Sequence, residues 1–444
     1  MIPDVNNESC AAPFAARRKR FAEAIGTGAV AILPAAPVAV RSRDVEYVYR
    51  QDSDFYYLTG FAEPEAVAVI APGHPDGEFV LFVLPRDRER ETWTGRRAGV
   101  EGAVAEGGAD RAYSVEELER RLPGYLQDAQ RLFYPLGVNP KVEARVLEIL
   151  RQVSIGRERT GTGPAGINDP REFLHEARLF KSAEELAAMR RACDIAAQAH
   201  RRAMSAARDQ MGEWEIEALF SYTFRSLGAA GPSYPSIVAS GPNATILHYV
   251  NNDRRISRGE LLLIDAGCEY EFYASDVTRT FPVAARFSQL QRNLYDAVLA
   301  AQLKGIETVR PGARVDDVHE ATLRVLVEGM HELGLVAGTV DEILEKQLYR
   351  PYYMHRTGHW LGMDVHDVGV YRIEGQSRRL EPGMVITVEP GIYISADAAE
   401  APEAMRGIGI RIEDDVLVTE QGHEVLTAAT PKLPEEIETL TASA

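Results

Sequence analysis

Residues 261–281 read LLLIDAGCEYEFYASDVTRTF. A run of four hydrophobic residues, Leu261 to Ile264, carries straight into Asp265. A carboxylate at the end of such a run is costly to bury without a compensating positive charge. The segment predicts a β-hairpin turning near residues 269–272. Asp265 and Asp276 then stand directly opposed on one face, about 5 Å apart at Cβ. Two bare carboxylates so placed repel and share a proton, whereas divalent cations hold both ionised. A shifted register, with one Asp buried and the other exposed, is the alternative for this stretch alone.

Three further segments carry candidate ligands. Glu389 follows a hydrophobic run in MVITVEPGIYI, residues 384–394; taken alone, it also fits a charged strand end. Glu413 lies in GIRIEDDVLVT, residues 409–419. Strict alternation places Arg411 and Glu413 on the face opposite Ile410 and Ile412. A surface Arg–Glu pair is the competing reading there. His359 sits in HRTGHWLGMDVHD, residues 355–367, with His355 and His366, so three of the ten histidines fall in one glycine-rich stretch. The glycines permit close backbone approach. Asp265, Asp276, His359, Glu389 and Glu413 together form an oxygen-rich set with one imidazole, which suits manganese, cobalt or zinc better than a thiolate-selected metal. Four carboxylates exceed what one ion needs and fit two ions roughly 3.5–4 Å apart, an arrangement for metal-assisted hydrolysis.

Composition narrows the class. The chain has 444 residues, which favours two domains. Its net charge of −17, from 66 acidic and 49 basic residues, opposes a nucleic-acid partner and fits a cytoplasmic protein. No segment reaches the roughly 18 apolar residues of a membrane span. Three dispersed cysteines, Cys10, Cys193 and Cys268, make no disulfide framework. The Gly-, Pro- and Thr-rich stretch 154–170 predicts a linker, giving domains at 1–170 and 171–444. The first reads as α/β, with strands at 29–34, 66–71 and 78–84 and helices near 114–129 and 141–152. The second reads as α+β. A capping box, Ser182 with Glu185, opens a helix to about residue 209. Helices follow near 213–228, from 288 to Pro311-Gly312, and near 315–334, with strand-rich stretches at 236–283 and 383–419. A duplication of helix-helix-strand halves is open.

The five ligand segments resemble those of the pita-bread metallopeptidases, whose ligand order is Asp, Asp, His, Glu, Glu. The family includes methionine aminopeptidase, prolidase and aminopeptidase P. His248 in ILHYVNND (246–253), His355, His366 and Arg411 resemble outer positions of the aminopeptidase P type. The stretches DSDFYYLTGFAEPEAVAVI (52–70) and TWTGRR (92–97) resemble its leading domain. The resemblance implies an α/β N-terminal domain before an α+β pita-bread catalytic domain. It implies hydrolysis of the bond between an N-terminal residue and a penultimate proline, through a bridging hydroxide between two divalent ions, usually manganese. Asp265 would hold one metal, Asp276 and Glu413 would bridge, and His359 and Glu389 would hold the other. Glu389 would also move the proton. His248 and His366 would stabilise the tetrahedral intermediate and position peptide. His355 would line the proline side, and Arg411 would orient ligands. Tyr393 is a candidate for the same shell, and Trp93 for contact with a neighbouring subunit. One of Arg378 and Arg379 would serve the substrate. A homo-oligomer, dimer or tetramer, is implied. Prolidase activity on dipeptides, or a metal-free binding protein on the same fold, are the alternatives.

Overall fold

The structure, a computed structural model, describes residues 7–283 and 286–442. The chain divides into two compact units, Met1–Ala177 and Arg178–Ala444.

The first unit is built on a six-stranded mixed sheet. Its order is Arg111–Ser114, Phe79–Val83, Val67–Ile70, Ala29–Pro34, Arg131–Phe133 and Ile167–Asn168. Ala29–Pro34, Val67–Ile70 and Phe79–Val83 pair antiparallel, and they are buried throughout. The outer strands add in parallel. Helices Leu118–Gln127 and Pro140–Thr160 pack on this sheet through Leu118, Leu122, Val142, Val146, Ile149 and Val153. The expected helix 141–152 runs on because Val153 continues its buried stripe, and it stops where Gly161 adopts φ +75°. Residues 154–170, expected as a linker, therefore contain a helix end and an edge strand. The division between the units falls within helix Arg171–Leu179, between Ala177 and Arg178.

The second unit repeats one order of elements. Helices Ala183–Ala206 and Glu213–Ser226 precede the antiparallel strands Ile237–Ser240, Leu261–Asp265 and Thr278–Pro282. Helices Gln289–Thr308 and Val315–Glu332 precede the sheet of Val385–Val388, Asp414–Thr419 and Gly422–Val425, and the pair Gly391–Ile394 and Ile408–Arg411. The Ser182–Glu185 capping box forms as expected, with the Ser182 amide donating to the Glu185 carboxylate at 2.8 Å. One core joins Ala196, Phe220 and Leu294 on the helices to Leu262, Phe281, Ile392 and Ile410 on the strands. Helices thus cover one side of antiparallel strands, the α+β arrangement.

Candidate metal centre and substrate cavity

A cavity of about 610 Å³ in the second unit is lined by Asp265, Asp276, His359, Glu389, Glu413, His248, His355, His366 and Arg411. Nine of the residues singled out from sequence therefore share one space. Their backbone supports are three breaks in strand structure, where a side chain can leave the regular pleat.

The first break lies in the opening hairpin. Asp265 pairs with Thr278, not with Asp276, and the arm beyond closes through Glu269–Ala274 and Tyr270–Tyr273. The turn is Glu271–Phe272, both residues at positive φ (49° and 69°). This two-residue turn of left-handed residues shifts the register by two from the expected pairing. The face is unchanged, because a shift of two returns a side chain to the same side. Asp276 falls where pairing is interrupted, beside Gly267. A Cβ on Gly267 would lie 1.7 Å from the Ser275 carbonyl oxygen, so only glycine lets the two backbones approach there.

His359 and Glu389 come from a second break. The Thr387 amide donates to the His359 carbonyl at 2.9 Å, and the Glu389 amide to the Thr357 carbonyl at 2.7 Å. Gly358 lies between these contacts, where a Cβ would meet the Thr387 carbonyl oxygen at 1.8 Å. His359 Nδ1 is 3.0 Å from the Trp360 carbonyl, which assigns its proton to that nitrogen and turns Nε2 to the cavity. Nε2 lies 3.3 Å from Asp276 Oδ2 and 3.5 Å from Glu389 Oε1.

Glu413 occupies the third break, after strand Ile408–Arg411. Ile410 and Ile412 are fully buried in the core while Arg411 and Glu413 face the cavity, the expected alternation. Thr278 Oγ1 donates to Glu413 Oε2 at 2.7 Å and accepts from Arg411 Nε at 3.0 Å. Arg411 Nη2 donates to Asp265 Oδ2 at 2.7 Å, and its Nη1 to the Tyr393 hydroxyl at 3.1 Å. Tyr393 is also 2.8 Å from His355 Nε2. His355 Nδ1 sits 2.7 Å from the Arg356 carbonyl, so the Tyr393 hydroxyl is the donor to Nε2. Tyr234 closes the ring, its hydroxyl donating to Asp265 Oδ1 at 2.5 Å.

The electrostatics are those of an acid cluster with too little positive charge. Burial, reinforced by Asp276, holds the Asp265 carboxyl above the usual range against the pull of Arg411. Burial and the neighbouring carboxylates raise Glu413 well above it. Glu389 is pushed up to about 7 by burial, opposed by His359. Burial disfavours the His359 cation, yet Asp276 and Glu389 raise its pKa to about 9. Burial likewise opposes ionisation of Asp276, but the His359 contact holds it below its ordinary value. His355 is lowered to about 4 by burial and then by Arg411.

Asp276, His359 and Glu413 offer ligand atoms all within 4.8 Å of one another. Glu389 and Asp265 flank this trio from the same cavity wall. Oxygen donors with one imidazole, and carboxyls held from ionising by burial and by one another, are the donor set that hard or borderline divalent ions satisfy. The residues present therefore fit divalent metal.

His248 and His366 lie at the exposed mouth, and the His366 ring packs edge-on against His359 with centroids 4.3 Å apart. Trp93, in the first unit, is 85% exposed. Neither arginine expected to serve the substrate lines the cavity. Arg378 is buried over the Phe180 ring, and Arg379 donates to the Gly312 carbonyl. Tyr234, Thr278 and Thr387 were not singled out from sequence. Each acts on a residue distant in the chain, and no local pattern marks them.

Residues 187–420 match metallopeptidase family M24, and residues 14–134 match the aminopeptidase P N-terminal domain. The chain is 46% identical over 432 residues to the Xaa-Pro aminopeptidase of Escherichia coli (strain K12), covering 97% of this chain and 98% of that protein. A Pseudomonas aeruginosa aminopeptidase structure superposes with TM-score 0.95 at 49% identity, covering 100% of this chain and 99% of that one. Zinc-substituted E. coli aminopeptidase P in complex with product gives TM-score 0.94 at 44% identity, covering 99% of each chain. With an α/β leading domain and a pita-bread second domain carrying this acid cluster, the chain belongs to metallopeptidase family M24.

Proposed function

We propose that this protein is a Xaa-Pro aminopeptidase that removes the residue preceding a penultimate proline. The observation carrying this reading is the convergence of Asp276, His359 and Glu413 within 4.8 Å, flanked by Asp265 and Glu389, in a chain that also has the aminopeptidase P leading domain. Asp265, Asp276, His359, Glu389 and Glu413 would hold a pair of divalent ions. When bound, the ions supply an acidified water and a polarised substrate carbonyl. Manganese is the proposed metal, since oxygen donors dominate; zinc and cobalt suit the same set.

The chain's own groups do the rest. Glu389 accepts the proton of the attacking water and delivers it to the proline nitrogen as the C–N bond breaks. His248 and His366, at the cavity mouth, donate to the oxygen on which negative charge develops. His355 faces the proline side, its ring fixed by Tyr393 and the Arg356 carbonyl. Arg411 fixes Asp265 directly and Glu413 through Thr278.

Turnover should be measured on an Xaa-Pro dipeptide and a longer Xaa-Pro-Yaa peptide, before and after chelation and manganese addition. Cleavage of the longer peptide only with metal is expected. Cleavage of the dipeptide alone would make the protein a prolidase, and failure to take up any divalent ion would make it a binding protein. The proposal includes a cytoplasmic location, in keeping with the acidic composition, and a homo-oligomer, dimer or tetramer, as the family resemblance implies. Cell fractionation and light scattering test these two points. No helix among the described residues is long and apolar enough to cross a membrane.

A further inference from the structure

The stretch GMDVHD, residues 362–367, places Asp367 directly after His366. His366 reaches the cavity, whereas Asp367 turns away and is buried, its side chain 1% exposed. Beneath the loop its Oδ1 accepts from Arg178 Nη2 at 2.6 Å and its Oδ2 from Lys181 Nζ at 3.2 Å. Arg178 and Lys181 are as deeply buried, at 3% and 1% exposure. The same Arg178 Nη2 reaches Asp364 at 2.8 Å. The Asp367 amide donates to the Trp360 carbonyl at 2.9 Å, closing the loop on itself. Gly362 presses against the carboxylate, where a Cβ would lie 2.0 Å from Oδ2.

Two facts make this arrangement informative. The His366 ring makes no hydrogen bond among the described residues and rests edge-on against His359, so its aim depends on the backbone that carries it. A fully buried ion cluster, in turn, gives little or no net stability over an apolar one of the same shape. Fixing a loop in one geometry is the use such clusters serve best.

We propose that Asp367, clamped by Arg178 and Lys181, is a positioning residue that aims His366 at the reacting carbonyl. The proposal rests on the reading of His366 as a donor to substrate. Asp367 itself touches no substrate.

The test is a double-mutant cycle on the manganese-loaded enzyme with an Xaa-Pro-Yaa peptide. H366A should lower kcat on the order of 10²-fold, the usual contribution of a positioned proton donor. D367N should lower kcat about tenfold, leaving KM within about twofold and bound manganese unchanged. In the H366A background, D367N should cost less than about twofold in kcat, because nothing remains to aim. K181M, which removes one clamp and keeps the aliphatic stem, should give a smaller effect of the same pattern, and it takes the place of D367N if that variant does not fold. Equal losses from D367N with and without His366, or a loss of bound metal that accounts for the loss of rate, would overturn the positioning role. Full activity in H366A would overturn the reading of His366 and the proposal with it.

Discussion

Replacing Thr278 with Val tests how far one hydroxyl sets the metal centre. Thr278 is fully buried on strand Thr278–Pro282. Val keeps its volume and its β-branched fit to the strand, and the backbone pairing to Asp265 is untouched. What disappears is the 2.7 Å donation to Glu413 Oε2 and the 3.0 Å acceptance from Arg411 Nε. Each bond has an ionisable partner, and such bonds are worth roughly 1.5–3 kcal/mol. The Arg411 guanidinium keeps Asp265 and Tyr393, so its share of the loss is small. The larger share falls on Glu413, whose Oε2 loses the Thr278 donation and whose aim at the metal loosens. Loss of an outer-shell partner typically weakens metal about 10–100-fold, or roughly 1.4–2.7 kcal/mol. Calorimetric titration of the chelated protein with manganese should show that weakening in T278V, while T278S, which keeps the hydroxyl, should stay within about threefold of wild type. Equal manganese affinity in T278V and wild type would refute the claim that this hydroxyl organises Glu413.

Asp276→Asn should reduce kcat about a thousandfold or more, since it removes charge from a group proposed to hold the ions; the far-ultraviolet circular dichroism should match wild type. Gly358→Ala forces a Cβ to within 1.8 Å of the Thr387 carbonyl; it should part the His359 and Glu389 segments and lower both thermal stability and metal content. Arg279→Met strips the fully buried Asp414 of its 2.7 Å partner, leaving Lys432, Gln302 and Thr427; urea unfolding should report a loss of about 3–5 kcal/mol. His200 is fully buried, with its pKa lowered to about 3 by burial and then by Arg279. A base with a depressed folded pKa takes up its proton on unfolding. Its contribution is therefore complete above the unfolded value near 6.5 and is lost as pH falls toward 3, at up to about 1.4 kcal/mol per pH unit. In acid titrations followed by urea unfolding, H200Q should show a shallower slope than wild type across that window.

Much of the cavity is legible in the sequence because burying a carboxylate is so costly. Asp265, Glu389 and Glu413 stand out as acids attached to apolar runs, and His359 as one of three histidines among glycines. Register was harder to read. The turn at Glu271–Phe272 lacks the Asn-Gly or Asp-Gly signal of a left-handed hairpin turn, so the sequence points to a centre one residue early and to Asp276, not Thr278, opposite Asp265. The stretch 154–170 reads as a linker because its Gly, Thr and Pro content hides two more turns of helix, held by Val153, and an edge strand of two residues. Tyr234 and Thr278 had no local signature. Their partners Asp265 and Glu413 lie 31 and 135 residues away, and only the folded chain joins them.

How the fold tolerates four buried acids before any metal arrives follows from the same distances. Asp276 and Glu389 lie 3.3 and 3.5 Å from His359 Nε2, and this raises the His359 pKa to about 9. At neutral pH the imidazole therefore carries a proton on the nitrogen assigned to metal, and supplies part of the charge a cation would bring. Arg411 supplies another part at Asp265. The remaining deficit makes Glu413 harder to ionise and, near pH 7, leaves a proton on a fraction of Glu389. A divalent ion must displace the His359 proton and the shared carboxyl protons to bind, so metal uptake releases protons. Calorimetry in buffers of different ionisation enthalpy measures that release directly. It should exceed one proton per protein near pH 7 and fall as pH rises past about 9, where His359 has already lost its proton. Metal uptake with no proton release at pH 7 would mean that the acids are held ionised by something other than His359 and Arg411.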